Sequence, residues 1–395
     1  MKLLYCYEGN HVFQDIVWGF VECGVEVIMH TEGNKRYSEG AELEREAAEI
    51  ERMVKQNKCD GVLSWNYYVA VSVACERLGI PYISWIFDSP LVSIYTDTML
   101  NSCNYFFVFD KMFCQDIKAK GCNSYYLPLA VNATRLGAMN ITDEQISRFS
   151  EEVSFVGSLY TLNGYNTAKK CFSEEIIAKH EKIFSKQYGD WQNDYICTDV
   201  TDEDVASMEK YAPIGDAEAF PYMSKKDRYV GAMLYPKMAE YERFRILNEL
   251  AKHCRVSFYN GYEDHSMLKN VICKPETNYE LETPIVYFSS KINLNMTLRS
   301  IQTGLPLRVF DIMGVGGFLM SNYQQEFEEL YTPDKDVVLY SSIDELIDKT
   351  KFYLTHERER LTIAMNGYKR TISEHTMKIR AVQMLNTVFG DKWRK

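Results

Sequence analysis

The chain has 395 residues, enough for two domains of ordinary size, each with its own core. Its 55 acidic against 44 basic residues leave a formal net charge of −11, which argues against a nucleic-acid binder that works through a basic surface. The 11 cysteines are scattered, odd in number and never spaced as C-x-x-C, so they read as reduced thiols of a cytoplasmic protein.

In chain order, KLLYCY (2–7) predicts a first strand and Glu8-Gly9-Asn10 a turn. HVFQDIVWGFVECG (11–24) has Val12, Ile16, Phe20 and Cys23 near helical spacing, with Gly24 at the stop. VEVIMH (25–30) is strand-like. The run 39–58 carries Leu43, Ala47, Ile50 and Val54 on one face and predicts an amphipathic helix. DGVLSW (60–65), PYISWIF (81–87), NYFFVFD (104–110) and NSYYLPL (123–129) continue the strands, separated by helices at 68–79 and 111–120. Strands alternating with helices predict a parallel, doubly wound sheet, a first domain over 1–130.

Residues 131–152 are polar and acidic and read as a linker. VSFVGSLY (153–160) then opens a second α/β unit over 153–370, interrupted by a helical insertion at about 161–250. Residues 228–253 read as one long helix that Pro236 starts or kinks. RVSFYNG (255–261) is a strand, the alternation returns from 291 to 354, and the tail from 355 reads as helices. The opening MKLLYCYEG lacks a signal-peptide core, and no apolar run approaches the roughly 18 residues of a membrane span.

One stretch concentrates polar chemistry: NLNMTLRSIQTGLPLRVFDIMGVGGFLM (293–320). Read as two short helical runs, it puts Asn295 and Arg299 on one face, and Arg308 and Asp311 on another. Gly316 and Gly317 follow, where a ligand or a second backbone can approach closely. Arg308 and Arg299 are candidates for a diphosphate, since a guanidinium presents a planar set of donors to phosphate oxygens. Asn293 and Asn295 suit phosphate or sugar, or equally the cap of a helix beginning there. Gly157 and Ser158 leave a buried-looking strand at the edge where ligands of open α/β sheets gather. Lys291 is a further phosphate candidate. Asp88, after the strand of SWIFDSP, is a candidate general base, or the cap of a helix. No His/Cys cluster has zinc spacing, and Asp202 and Asp204 read as a solvated acidic face, so no metal ligands are assigned.

The run GLPLRVFDIMGVGGFLMSNYQQEFEELY, with SWIFDSP (84–90), YYLPLAVN (125–132), VSFVGSLY (153–160) and HTMKIR (375–380), resembles the CgeB-like bacterial glycosyltransferases. The resemblance implies a GT-B fold, two Rossmann-like domains facing each other across a cleft, with no cofactor and no metal. It implies transfer of a hexose from a nucleotide sugar, UDP- or GDP-linked, to a protein or surface-glycan acceptor. It gives Asp311 the ribose hydroxyls, puts the acceptor near Gly9, Asn10 and His11, and carries the last helix (371–395) back onto the first domain. One departure is Thr303, where related retaining enzymes carry a second glutamate. A catalytically silent binding subunit and a sugar-nucleotide epimerase are the alternative readings.

Overall fold

A parallel strand buried on both faces has no solvent side, so its sequence runs apolar without alternation. The first strand shows this: Leu3, Leu4, Tyr5 and Cys6 are all fully buried. In the computed structural model, which describes residues 1–7, 14–31, 35–191, 193–214, 219–260 and 262–394, twelve parallel strands form two sheets.

The first sheet contains β1 (Lys2–Cys6), β2 (Glu26–His30), β3 (Gly61–Trp65), β4 (Tyr82–Ile86), β5 (Asn104–Val108) and β6 (Ser124–Tyr126), in the order β2-β1-β3-β4-β5-β6. The second contains β7 (Val153–Val156), β8 (Val256–Tyr259), β9 (Ile272–Lys274), β10 (Ile292–Asn295), β11 (Leu319–Asn322) and β12 (Val338–Tyr340), in the order β12-β11-β10-β7-β8-β9. Every pairing is parallel. Each sheet therefore reverses its winding once, between β1 and β3 in the first and between β7 and β10 in the second. At such a reversal the two following loops diverge to opposite faces and leave a crevice at the carboxyl edge.

The polar run 293–303 is not helical. Asn293 and Asn295 belong to strand β10, and turns follow up to Pro306. Only the second part, Leu307–Gly314, is a helix. Pro236 sits at the start of the Tyr235–Leu250 helix, directly after a π-helical stretch, Val230–Leu234. The wider π turn accommodates a proline ring that would strike the carbonyl four residues back in a regular helix. The helices Gly164–Ala168, Glu174–Gln187, Tyr195–Asp199, Asp202–Tyr211 and Lys225–Tyr229 pack around an apolar cluster of their own, which includes Tyr165, Phe184, Ile196, Met208 and Leu234.

The two halves are joined twice at one place. Val131 in the connecting segment bridges Thr376 in parallel, with the Val131 amide donating to the His375 carbonyl at 3.0 Å and the Met377 amide to the Val131 carbonyl at 3.0 Å. The Met377–Phe389 helix then lies on the first half so closely that a Cβ on Gly19 would stand 2.6 Å from the Met377 carbonyl oxygen. Buried His375 accepts from Arg380 at 2.7 Å and stacks edge-on against Phe310, a structural role. Among the described residues, no helix is long and apolar enough to cross a membrane.

Candidate functional site

The reversal between β7 and β10 is where the candidate residues meet. After β7 the chain passes through Gly157, whose φ of +153° and lack of a side chain both matter. A Cβ there would lie 2.4 Å from Arg308 Nη2, so glycine makes the space the guanidinium occupies. Arg308 comes from the first turn of the Leu307–Gly314 helix, whose N-cap, Pro306, supplies no side-chain acceptor for the free amides of that turn. Its Nη1 donates to Asn295 Oδ1 at 3.1 Å, and its guanidinium lies 5.1 Å from the Phe155 ring centre. Asn295 is fully buried and in turn donates to Thr297 Oγ1 and Ser321 Oγ, both at 2.9 Å. It therefore positions Arg308 and has no surface of its own for a ligand.

A second guanidinium reaches the same place. Arg243, on the Tyr235–Leu250 helix, donates to the carbonyls of Ser158 and, at 2.8 Å, Met296, and lies 4.6 Å from the Tyr160 ring centre. Burial, with repulsion from Arg308 beside it, lowers it to about 10. Among the described residues neither arginine meets a carboxylate within ion-pairing distance. A buried cation is ordinarily paired, so buried Arg243 beside partly buried Arg308, with no carboxylate paired to either among the described residues, forms a ready anion site. Glu263, buried, instead shapes the loop: it accepts from Ser158 Oγ at 2.8 Å, from Asn260 Nδ2 at 2.9 Å and from the Leu159 amide.

Arg243 and Glu263 escape a reading of the sequence by motif. Arg243 carries one signal: it falls in helical register with the apolar positions Ala239, Ile246 and Leu250, a charge on a buried stripe.

Asp311 lies one turn beyond Arg308, buried, and accepts from the Tyr279 hydroxyl at 3.2 and 3.1 Å on its two oxygens. Nearby, Asp15 of the first half pairs with Arg135 at 2.7 Å, and Arg135 also donates to the Glu280 carbonyl at 3.1 Å. Burial first, then the charge of Asp15, push the Asp311 carboxyl up to about 7, against the pull of Arg135.

Four expectations need correction. Arg299 is taken: its Nε donates to Glu242 Oε1 at 3.0 Å in a buried ion pair. Asn293 is fully buried inside β10, accepting from Ser154 Oγ at 2.8 Å and donating to the Tyr287 carbonyl at 2.8 Å, so it neither caps a helix nor faces a ligand. Lys291 is exposed just before β10, at the amino edge of the sheet, opposite the crevice. Gly316 and Gly317 lead into β11 at that same far edge. Gly317 admits a second backbone, since a Cβ there would lie 2.5 Å from the Tyr287 carbonyl oxygen. Gly9, Asn10 and His11 lie outside the described residues.

In the first half, Asp88 follows β4 and lines a cavity of about 560 Å³ whose other walls include Tyr160, Ala232, Leu298 and Ser300 of the second half. Arg36 Nη1 and Asn66 Nδ2 both donate to Asp88 Oδ2, at 2.8 and 2.9 Å, so Oδ1 is the oxygen left to accept a proton. Asn66 itself accepts from the Phe87 amide at 2.8 Å, locking the loop that presents the carboxylate. Tyr67, Tyr68 and Tyr165 are core residues, Tyr160 faces the cavity, and Tyr262 is 63% exposed.

Thr303 joins the halves. Its hydroxyl lies 3.0 Å from Asp110 Oδ1 and 2.9 Å from Glu326 Oε1, while the Gln302 amide donates to Asp110 at 2.7 Å and the Lys111 amide to Glu326 at 2.9 Å. Asp110 and Glu326 are fully buried, and burial raises the Glu326 carboxyl above its ordinary range.

Comparison with known proteins places this geometry. Residues 234–386 match a family model described as glycosyl transferase-like. No curated protein matches the chain in sequence. Among solved structures, a glycosyltransferase from Rickettsia africae ESF-5 superposes with a TM-score of 0.61 at 10% identity, covering 100% of this chain and 98% of that one. Anabaena HepE in complex with UDP and glucose gives 0.58 at 10% identity over 98% and 99% of the two chains. Sucrose-phosphate synthase from Thermosynechococcus elongatus gives 0.57 at 8% identity over 98% of each. With two parallel, singly reversing sheets that meet over a shared cleft and neighbours that superpose along their whole length, the chain has the GT-B fold.

Proposed function

We propose that the protein is a glycosyltransferase that moves a hexosyl group from a nucleoside-diphosphate sugar to an acceptor hydroxyl. The observation that carries this is the pair Arg243 and Arg308, converging on the winding reversal of the second sheet with no carboxylate partner among the described residues. The glycosyl transferase-like match over 234–386 supports it, as does the UDP bound by the HepE neighbour.

In this reading the diphosphate lies between Gly157 and the amide end of the Leu307–Gly314 helix, against Arg308, with Arg243 behind. Negative charge grows on the leaving diphosphate as the glycosidic bond breaks, so fixed cations there favour the transition state over the ground state. These guanidiniums supply the charge a metal would otherwise bring. Asp311 takes the ribose hydroxyls, which replace the Tyr279 hydroxyl on its two oxygens. The acceptor enters the cavity beside Asp88, whose Oδ1 removes the proton from the attacking hydroxyl; the acceptor oxygen bonds to the anomeric carbon and the nucleoside diphosphate departs with the bonding pair.

The test is calorimetric titration with UDP, GDP and their monophosphates on wild type and Arg308→Ala. One diphosphate is expected to bind at least about tenfold tighter than its monophosphate, and the variant to lose that advantage. Equal binding by wild type and variant would remove the phosphate role. Release of free diphosphate from the matching nucleotide sugar, in the presence of acceptor, separates an enzyme from a silent binding subunit.

A further inference from the structure

Ser89, Pro90, Gly231 and Ser300 line the cavity beside Asp88 and also line a second cavity of about 500 Å³, so the two adjoin. That second cavity lies between the first half, through Tyr95, Met112 and Phe113, and the helical insertion, through Tyr222, Met223 and Tyr235. Gly231, where the two cavities adjoin, belongs to the π-helical stretch Val230–Leu234, and a Cβ there would lie 3.8 Å from Pro90 Cγ.

Among the described residues, the charges along both cavities nearly cancel. Asp88 is paired with Arg36 at 2.8 Å, and Asp116 with Lys120 at 2.5 Å; Asp116 also accepts from the Tyr95 hydroxyl at 2.7 Å. Among the described residues, Asp227 alone has no cation in the lining, and it accepts from Ser224 Oγ at 2.6 Å. A basic peptide would meet one uncompensated carboxylate, and an anionic polymer would be repelled by it. Aromatic faces, hydroxyls and charge-paired carboxylates instead match the C–H faces and hydroxyl edges of neutral sugar rings.

We propose that the second cavity is an acceptor subsite for the sugar units behind the one being glycosylated, so that the acceptor is a neutral oligosaccharide and not a polypeptide. This rests on the transferase reading above. The helical insertion then forms the outer wall of an acceptor channel that the two sheets alone would leave open.

The test uses the full chain with methyl-¹³C methionine, since Met112 and Met223 line the second cavity and the Met296 carbonyl holds Arg243 at the donor side. Maltotetraose, cellotetraose and chitotetraose, their disaccharides, a serine- and threonine-rich decapeptide, and UDP are titrated separately. At least one tetrasaccharide is expected to shift Met112 and Met223 and to bind about tenfold tighter than its disaccharide. Met112→Trp, which fills the cavity from a position 44% exposed, is expected to weaken that tetrasaccharide about tenfold and to leave UDP affinity within about twofold. Saccharides that move neither methyl overturn the subsite, and shifts caused by the peptide alone overturn its assignment to sugar. Failure of UDP to move Met296 counts against the transferase reading, while the saccharide titrations still decide the subsite.

Discussion

Asp311→Asn separates the energetic cost of a buried carboxyl from its use. The Asp311 carboxyl sits at about 7 against an ordinary 3.8, because burial and Asp15 oppose its ionisation. The sign follows from proton binding. Well below pH 3.8 folded and unfolded chains both carry the proton and no difference arises. As pH rises toward 7 the unfolded chain releases it while the folded chain keeps it, so stability falls; above 7 both are ionised and the loss is complete. At about 1.4 kcal/mol per pH unit, the ceiling on this loss is about 2 kcal/mol at pH 5 and about 4 kcal/mol at pH 8. Asparagine keeps the shape and accepts the Tyr279 hydroxyl without titrating. Urea unfolding across pH 4 to 8 is expected to show the variant gaining on wild type as pH rises, with nucleotide affinity lost at every pH. A wild-type-to-variant difference that stays constant with pH would refute the assignment of this titration to Asp311.

Three further outcomes follow from the same geometry. Gly157→Ala drives a methyl against Arg308 at a positive φ, so UDP affinity is expected to fall about tenfold or more by calorimetry, with the secondary structure by circular dichroism unchanged. Asp88→Asn removes the proton acceptor and is expected to lower kcat about a hundredfold or more while UDP affinity stays at the wild-type value. Thr303→Val deletes the hydroxyl between Asp110 and Glu326 and is expected to cost roughly 1–3 kcal/mol in urea unfolding, with a larger radius of gyration by small-angle scattering as the halves separate.

Much of this was readable in the sequence where the signal is local. The parallel strands announce themselves because both faces are covered, and the 39–58 helix because Leu43, Ala47, Ile50 and Val54 share one stripe; the helix observed is Gly40–Asn57. Gly157 and Arg308 could each be named from their own segments, but the fit of one into the space left by the other could not. The failures share a cause. Asn293 and Asn295 look like ligands because buried asparagine is costly unless satisfied, and what satisfies them is Ser154 and Ser321 on neighbouring strands. Arg299 looks available until Glu242, far away in the chain, is folded against it. Thr303 reads as the place of a missing second glutamate, whereas its hydroxyl is engaged between two carboxylates that only the docking of the halves brings together. Polar partners distant in sequence leave no periodicity behind.

The return of the Met377–Phe389 helix onto the first half has a consequence for how the chain is made. Gly19 and its helix wait for a surface that lies more than 350 residues downstream, so the first sheet leaves the ribosome with one flank uncovered. The helix that closes this flank is Met377–Phe389. Vectorial folding of the amino-terminal half alone therefore stops short until that helix has been made.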